Sequence, residues 1–186
     1  SDNGPSRESR NWLDGSQDPY YGGTSGGLKG HKFSLFDGGI KVPGIIHWPE
    51  RINGGQVLST PAAAMDIVPT VLDAVRADST NYELDGTSLL NLLVDGESLV
   101  ERSIFWEMDG QTAVRKGNWK LVLNGQLVES GDTVAEVHLS DLELDPSESA
   151  NLAEKYPEIV KELKQLAEDW RSGIETRWEI DFGSKD

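Results

Sequence analysis

The pattern of apolar and polar positions changes character near residue 100. Residues 1–39 are polar and show no period; Gly15, Gly22, Gly23, Gly26, Gly27, Gly30, Gly38 and Gly39 interrupt them throughout. Trp12, Tyr20, Tyr21, Phe33 and Phe36 are scattered along the same stretch. Aromatic content of that kind predicts an ordered loop, because disordered segments are poor in aromatics. Residues 40–48 (Ile-Lys-Val-Pro-Gly-Ile-Ile-His-Trp) predict a strand, with Pro43 placing its first half at a sheet edge or entry. Residues 49–55 predict a turn. Residues 64–77 predict a helix on which Met65, Val68, Leu72 and Val75 share one face. Asp66 is its candidate cap, and Pro69 is tolerated in a first turn. A short helix is predicted near 88–94, after Asp85-Gly86.

Beyond residue 100 the period shortens towards two. Ile104-Phe105-Trp106 predicts a short strand. Thr112–Lys116 and Trp119–Leu123 flank Gly117-Asn118, a hairpin signal. Val134–Leu139 alternates as a further strand, and Asp145-Pro146 turns the chain. Pro157 opens a final helix whose stripe is Ile159, Leu163, Leu166 and Trp170, with Gly173 as its expected end. The expected organisation is therefore residues 1–99 as one part and residues 100–186 as a small α+β domain, an antiparallel sheet under one helix.

Composition narrows the partners. The 186 residues carry 17 Lys+Arg against 32 Asp+Glu, a net charge of −15. That balance argues against nucleic acid and against an anionic membrane surface, both of which are held by clustered cations. No apolar run approaches the ~18 residues of a spanning helix. Cys is absent, which excludes disulfides, thiolate metal sites and Cys nucleophiles within this chain. The opening Ser1-Asp2-Asn3-Gly4-Pro5 is turn chemistry with nothing before it to turn from, so we expect a piece of a longer polypeptide.

Few residues carry recognisable chemistry by type and spacing. Asp2 and Asn3 offer adjacent oxygens of the sort calcium prefers; an ordinary Asx turn is the plainer reading. Lys32 carries a compact ammonium suited to a tetrahedral oxyanion, although most surface lysines are merely solvated. Asp37 either pairs with Lys32 or caps a turn before Gly38-Gly39. His31 is a candidate ligand or acid–base group, while His47, in an apolar run, reads as a core histidine. The acidic run Glu143–Glu148 reads as a solvated loop.

The order of the pieces says more than any one of them. Ser1-Asp2-Asn3-Gly4-Pro5 followed by Gly27-Leu28-Lys29-Gly30-His31-Lys32-Phe33-Ser34-Leu35-Phe36-Asp37-Gly38-Gly39-Ile40-Lys41-Val42-Pro43 resembles the sulfatase family. Ile46-His47-Trp48-Pro49, Met65-Asp66-Ile67-Val68-Pro69-Thr70 and Asp85-Gly86-Thr87-Ser88-Leu89-Leu90 follow in the family's order. So do Ala113–Leu121, Leu139–Pro146 and Asn151-Leu152-Ala153. The likeness runs from residue 1 to about 172.

The resemblance implies an α/β fold: the end of an alkaline-phosphatase-like mixed sheet with flanking helices (residues 1–99), then a small C-terminal antiparallel-sheet-plus-helix domain (residues 100–186). It implies hydrolysis of sulfate esters, aryl or carbohydrate, with calcium and a formylglycine nucleophile. Asp2 and Asn3 match the family's calcium-ligating pair, and Lys32 matches its sulfate-contacting lysine. Asp37 stands where the family often has Glu. The nucleophile motif Cys/Ser-x-Pro-x-Arg is not matched: Ser59-Thr60-Pro61 begins it, but Ala63 stands at the Arg position. The expected partners are a sulfated small molecule or carbohydrate and the N-terminal part of a sulfatase. The isolated chain is expected to be inactive, to bind calcium weakly if at all, and to self-associate through an unpartnered edge. Export to the periplasm or outside the cell is expected from the resemblance. Two other readings share these residues: a phosphate or phosphonate ester hydrolase of the same superfamily, and a non-catalytic carbohydrate-binding module on a degenerate scaffold.

Overall fold

A computed structural model describes residues 2–6, 23–129 and 131–183. Its centre is a four-stranded antiparallel sheet in sequence order: β1 (Ser103–Met108), β2 (Gln111–Lys116), β3 (Trp119–Gln126) and β4 (Thr133–Asp141). Asp109 and Gly110 both take positive φ, 51° and 79°, the backbone that a two-residue β1–β2 hairpin requires. Gly117 (φ 56°) turns β2 into β3, with Lys116 opposite Trp119. The β3–β4 ladder runs from Trp119↔Asp141 to Gln126↔Thr133, with a register shift at Gly125/Gln126.

The pleat sends alternate residues to opposite faces, and both faces are covered. Val114, Leu121 and Leu139 pack with Leu163 and Ala167 of α4 (Pro157–Phe182), joined by Phe105, Ile159 and Leu166. Phe105 and Trp170 stack with centroids 5.1 Å apart. The intervening positions, Ala113 and Val122, meet Leu35 and Phe36, with Trp106 and Met108 at the margin. The second cover is thus the segment around residues 33–40, which ends in the single helical turn α1 (Asp37–Ile40). Pro157 opens α4 as predicted, but Gly173 does not close it: the helix continues to Phe182. One interior glycine costs a helix only about 1 kcal/mol, and the flanking residues are adequate helix formers.

By packing, Ser1–Pro43 and Arg102–Asp186 form one compact unit and Gly44–Glu101 another. In the second, a 3-10 turn (Ala64–Asp66) leads into α2 (Ile67–Ala74), and α3 (Leu90–Asp95) follows. Fully buried Asp66 organises it. Its Oδ2 accepts from the Ala63 N–H at 2.8 Å and its Oδ1 from the Thr87 N–H at 2.9 Å. Thr70 Oγ1 donates to the Asp66 carbonyl at 2.6 Å and accepts from the Leu89 N–H at 2.9 Å. Asp66 holds the N-cap position of α2, as expected, but its side chain bonds back to the start of the 3-10 turn and across to Thr87 rather than to the first turn of α2. A Cβ at Gly86 would lie 2.1 Å from the Met65 carbonyl oxygen, so glycine is required for that approach. We expect Asp66→Ala to cost about 2–4 kcal/mol, the loss of partners for two amides at a buried acceptor, measured by urea denaturation monitored within this unit.

Three sequence expectations fail here. Residues 41–48 carry no regular secondary structure and pair with no strand among the described residues, and a ladder needs a partner. The stripe on α2 is not buried: Val68 and Val75 are 54% and 68% exposed. His47 is likewise exposed and not a core histidine.

Candidate functional site

The segment that carries Lys32 is wound tightly enough to need glycine. The Gly38 N–H donates to the Lys29 carbonyl at 2.7 Å, and the Gly4 N–H to the Gly39 carbonyl at 2.8 Å. A Cβ at Gly4 would sit 1.9 Å from the Gly38 carbonyl oxygen, and one at Gly38 would sit 2.1 Å from that of Gly30. The Lys32 N–H donates to the Pro5 carbonyl at 2.9 Å. These bonds lay residues 3–5 alongside the Lys32 turn. Between them lies a hollow of about 800 Å³, lined among others by Asn3, Pro5, Thr24, Lys32 and Lys41. Asn3 and Lys32, 29 residues apart in sequence, therefore border one space.

Asp2, beside Asn3, is exposed, and the Asn3 Nδ2 donates to its Oδ2 at 2.8 Å. The pair presents hard oxygen donors of the kind calcium takes, but calcium needs six to eight. Among the described residues no group of three or more His, Cys, Asp or Glu is placed to hold a metal. The donors fit calcium in kind and fall short in number. Lys32 is half-buried, its ammonium 5.6 Å from the Phe33 ring centroid. His31 also is half-buried; its backbone N–H donates to the Leu127 carbonyl at 3.0 Å, and it is not one of the described residues that line the hollow.

Asp37 pairs with a different lysine from the one weighed on sequence grounds. Lys120 Nζ, on β3 and fully buried, lies 2.6 Å from Asp37 Oδ1 and 3.1 Å from Glu148 Oε1. Glu148 Oε2 accepts from the Asp37 N–H at 2.5 Å. Glu148 itself has no exposed surface, so the acidic run Glu143–Glu148 is not solvated throughout. Burial raises the Glu148 carboxyl above the ordinary glutamate range, against the pull of Lys120. Lys41 Nζ stands 3.6 Å from Asp37 Oδ2. Lys29 reaches the same neighbourhood. Its ammonium donates to the Glu148 carbonyl at 3.2 Å, lies 3.5 Å from His138 Nδ1 and sits 4.5 Å over the Phe36 ring. Burial lowers its pKa. Lys120 alternates with apolar Trp119 and Leu121 in a strand, and an inward-facing Lys there was the one available signal for this network.

Comparison with known proteins follows the same outline. The profile of the family described as N-sulphoglucosamine sulphohydrolase, C-terminal, matches residues 30–172. Arylsulfatase A of Homo sapiens is 32% identical over 169 residues, 78% of this chain and 33% of its own length. The N-acetylgalactosamine-6-O-sulfatase of Bacteroides thetaiotaomicron is 29% identical over 186 residues, 90% of this chain and 34% of its own length. The chain thus spans about a third of these curated relatives. Among solved structures, Ps i-CgsB in complex with k-i-k-neocarrahexaose superposes with a TM-score of 0.66 at 21% identity, covering 98% of this chain and 40% of that one; it shows a shared fold.

Proposed function

The chain belongs to the sulfatase family and corresponds to its C-terminal portion, and from that premise we propose that it supplies one wall of a sulfate-ester pocket. The observation that carries this reading is the convergence of Asn3 and Lys32 on one hollow, with Asp2 adjoining. In a chain of net charge −15, two lysines, Lys32 and Lys41, line that hollow. An oxyanion is the ligand such a wall suits. Lys32 contacts the sulfate and stabilises charge that grows on its oxygens. Asp2 and Asn3 contribute two of a calcium ion's oxygen ligands. Bound calcium would supply further positive charge against the sulfate. His31 takes no part in the hollow's lining and is kept as a second-rank candidate only.

The remaining calcium ligands and a formylglycine nucleophile come from the N-terminal part of the sulfatase, which this chain does not match. Residues 1–99 are assigned to the C-terminal part of the α/β core and residues 100–186 to the small C-terminal domain. The substrate class is a sulfated small molecule or carbohydrate, supported by the B. thetaiotaomicron relative being an N-acetylgalactosamine-6-O-sulfatase. Among the described residues no helix is long and apolar enough to cross a membrane, and export is the location we assign by family.

The test is turnover of an aryl sulfate. The isolated chain should give none, with or without added calcium, and calorimetry should detect calcium binding no tighter than millimolar. The same chain extended through its upstream coding sequence should turn over, and Lys32→Ala should abolish that activity. Calcium-dependent hydrolysis by the isolated chain would refute the division of labour. The isolated chain should also associate: Ile45, Val57, Val75 and Val100 are 93%, 95%, 68% and 88% exposed, and pairing with another chain would take such side chains out of water. Light scattering that shows a monodisperse monomer at tens of micromolar would count against this.

A further inference from the structure

Phe33, next to Lys32, holds φ 71°. A bulky residue in the left-handed region is strained by about 1–3 kcal/mol and persists only where its surroundings force it. The force here has an identifiable source. Gln111, the first residue of β2, is fully buried. Its Nε2 donates to the Phe33 carbonyl at 2.8 Å. Its Oε1 accepts from the Gln126 N–H at 2.9 Å and from the Leu35 N–H at 3.4 Å. A single amide therefore grips both sides of the turn and fastens it to β3. Ser34 Oγ adds a second tie, donating to the Gln126 carbonyl at 2.6 Å.

We infer that Gln111 is a positioning residue for Lys32: by holding Phe33 in its left-handed backbone, it fixes where the ammonium enters the hollow. The inference rests on the reading that Lys32 contacts the sulfate. It gives the small sheet a task in the pocket, although among the described residues no strand residue lines the hollow. If Phe33 relaxed to negative φ, the peptide joining it to Lys32 would rotate, and the lysine stem would leave from a different direction. Misplacement of a reacting contact by about 1 Å is enough to cost 10²-fold.

The experiment uses the full-length protein that carries this chain, with an aryl sulfate as substrate and inorganic sulfate as competing anion. All assays run well below each variant's thermal midpoint. Gln111→Glu keeps the acceptor and loses the donor to the Phe33 carbonyl. At neutral pH its kcat/KM should fall about 10- to 100-fold and inhibition by sulfate should weaken. Relative to wild type, it should recover as pH falls, because a buried carboxyl takes up its proton above the usual range and can then donate. A purely structural Gln111 would lower the midpoint and leave kcat/KM of the folded enzyme unchanged. Gln111→Glu within twofold of wild type at neutral pH, with Lys32→Ala inactive, overturns the positioning role alone. Lys32→Ala at wild-type rate overturns both this inference and the sulfate contact. If Gln111→Glu fails to fold, Gln111→Leu decides: a roughly 10-fold or larger fall in kcat/KM of the folded variant supports the inference, and a value within twofold overturns it.

Discussion

Lys120→Met should destabilise the sheet-bearing unit by about 3–5 kcal/mol, a large share of the 5–15 kcal/mol that holds a typical domain folded. Lys120 has no exposed side-chain surface, and the two carboxylates it meets, Asp37 and Glu148, have 5% and 0%. Methionine fills the stem's volume, so little of the cost comes from a cavity. The cost comes from leaving two anions buried without their shared cation, whose desolvation nothing then offsets. The partners should rank below it. Asp37→Asn leaves the Lys120–Glu148 contact in place. Glu148→Gln keeps an oxygen for the Asp37 N–H and relieves a carboxyl already biased towards its neutral form by burial. Guanidinium denaturation of the three variants tests this order. A Lys120→Met cost below about 1 kcal/mol would show that the carboxylates simply take up protons, and that the ion pair does not hold the loop. The functional consequence follows from where Asp37 lies. It begins the turn whose Gly39 carbonyl receives the Gly4 N–H, so loosening it also frees the Asn3 run from the Lys32 side of the hollow.

Periodicity and turn chemistry made most of the small domain legible. All four strands and the start of α4 fall near their predicted places, since alternation and Pro157 act locally. Asp109-Gly110 was an equally plain hairpin signal that the reading passed over. What stayed illegible was non-local. Nothing adjacent in sequence tells that Lys120 meets Asp37 across 83 positions, or Glu148 across 28, and an acidic residue in a run of charges looks solvated by default. The exposed stripe on α2 failed for the opposite reason. Its period correctly marks an apolar face, but period cannot say what covers that face. The site was legible chiefly through resemblance. Asp2, Asn3 and Lys32 carry weak signals alone, and it took the Gly4–Gly39 and Lys32–Pro5 backbone bonds to bring two of them to one hollow.

Acid should weaken the same unit through His138, and substitution should isolate the effect. His138 is 3% exposed on β4, edge-on to Phe36 with ring centroids 5.1 Å apart. Burial, then the Lys29 charge, lower its pKa from 6.5 to about 4, and the Glu148 backbone and Asp145 oppose this only in part. A histidine with a depressed folded value is neutral in the native state and charged in the unfolded chain between pH 6.5 and about 4. The unfolded state then binds more protons, so stability rises with pH across that window. The contribution is complete above pH 6.5 and is lost as pH falls to about 4. Its size is about 3 kcal/mol, from roughly 2.5 pH units at 1.36 kcal/mol each. Glu148 works the other way, since a raised carboxyl favours folding at lower pH and loses that advantage as pH rises. Asp145, held ionised first by the Ser147 hydroxyl and then by the Ala150 amide, gives stability that is complete above the ordinary carboxylate range and is lost only as pH falls below it, so it adds little slope here. Wild type alone would therefore report a sum of opposed slopes. His138→Gln removes one of them and leaves the rest, so the difference between the two proteins should grow by about 3 kcal/mol in the variant's favour between pH 7 and pH 4. Parallel stability curves over that range would show that the imidazole accepts its proton without opening the fold, with the Lys29 ammonium moving aside to admit it.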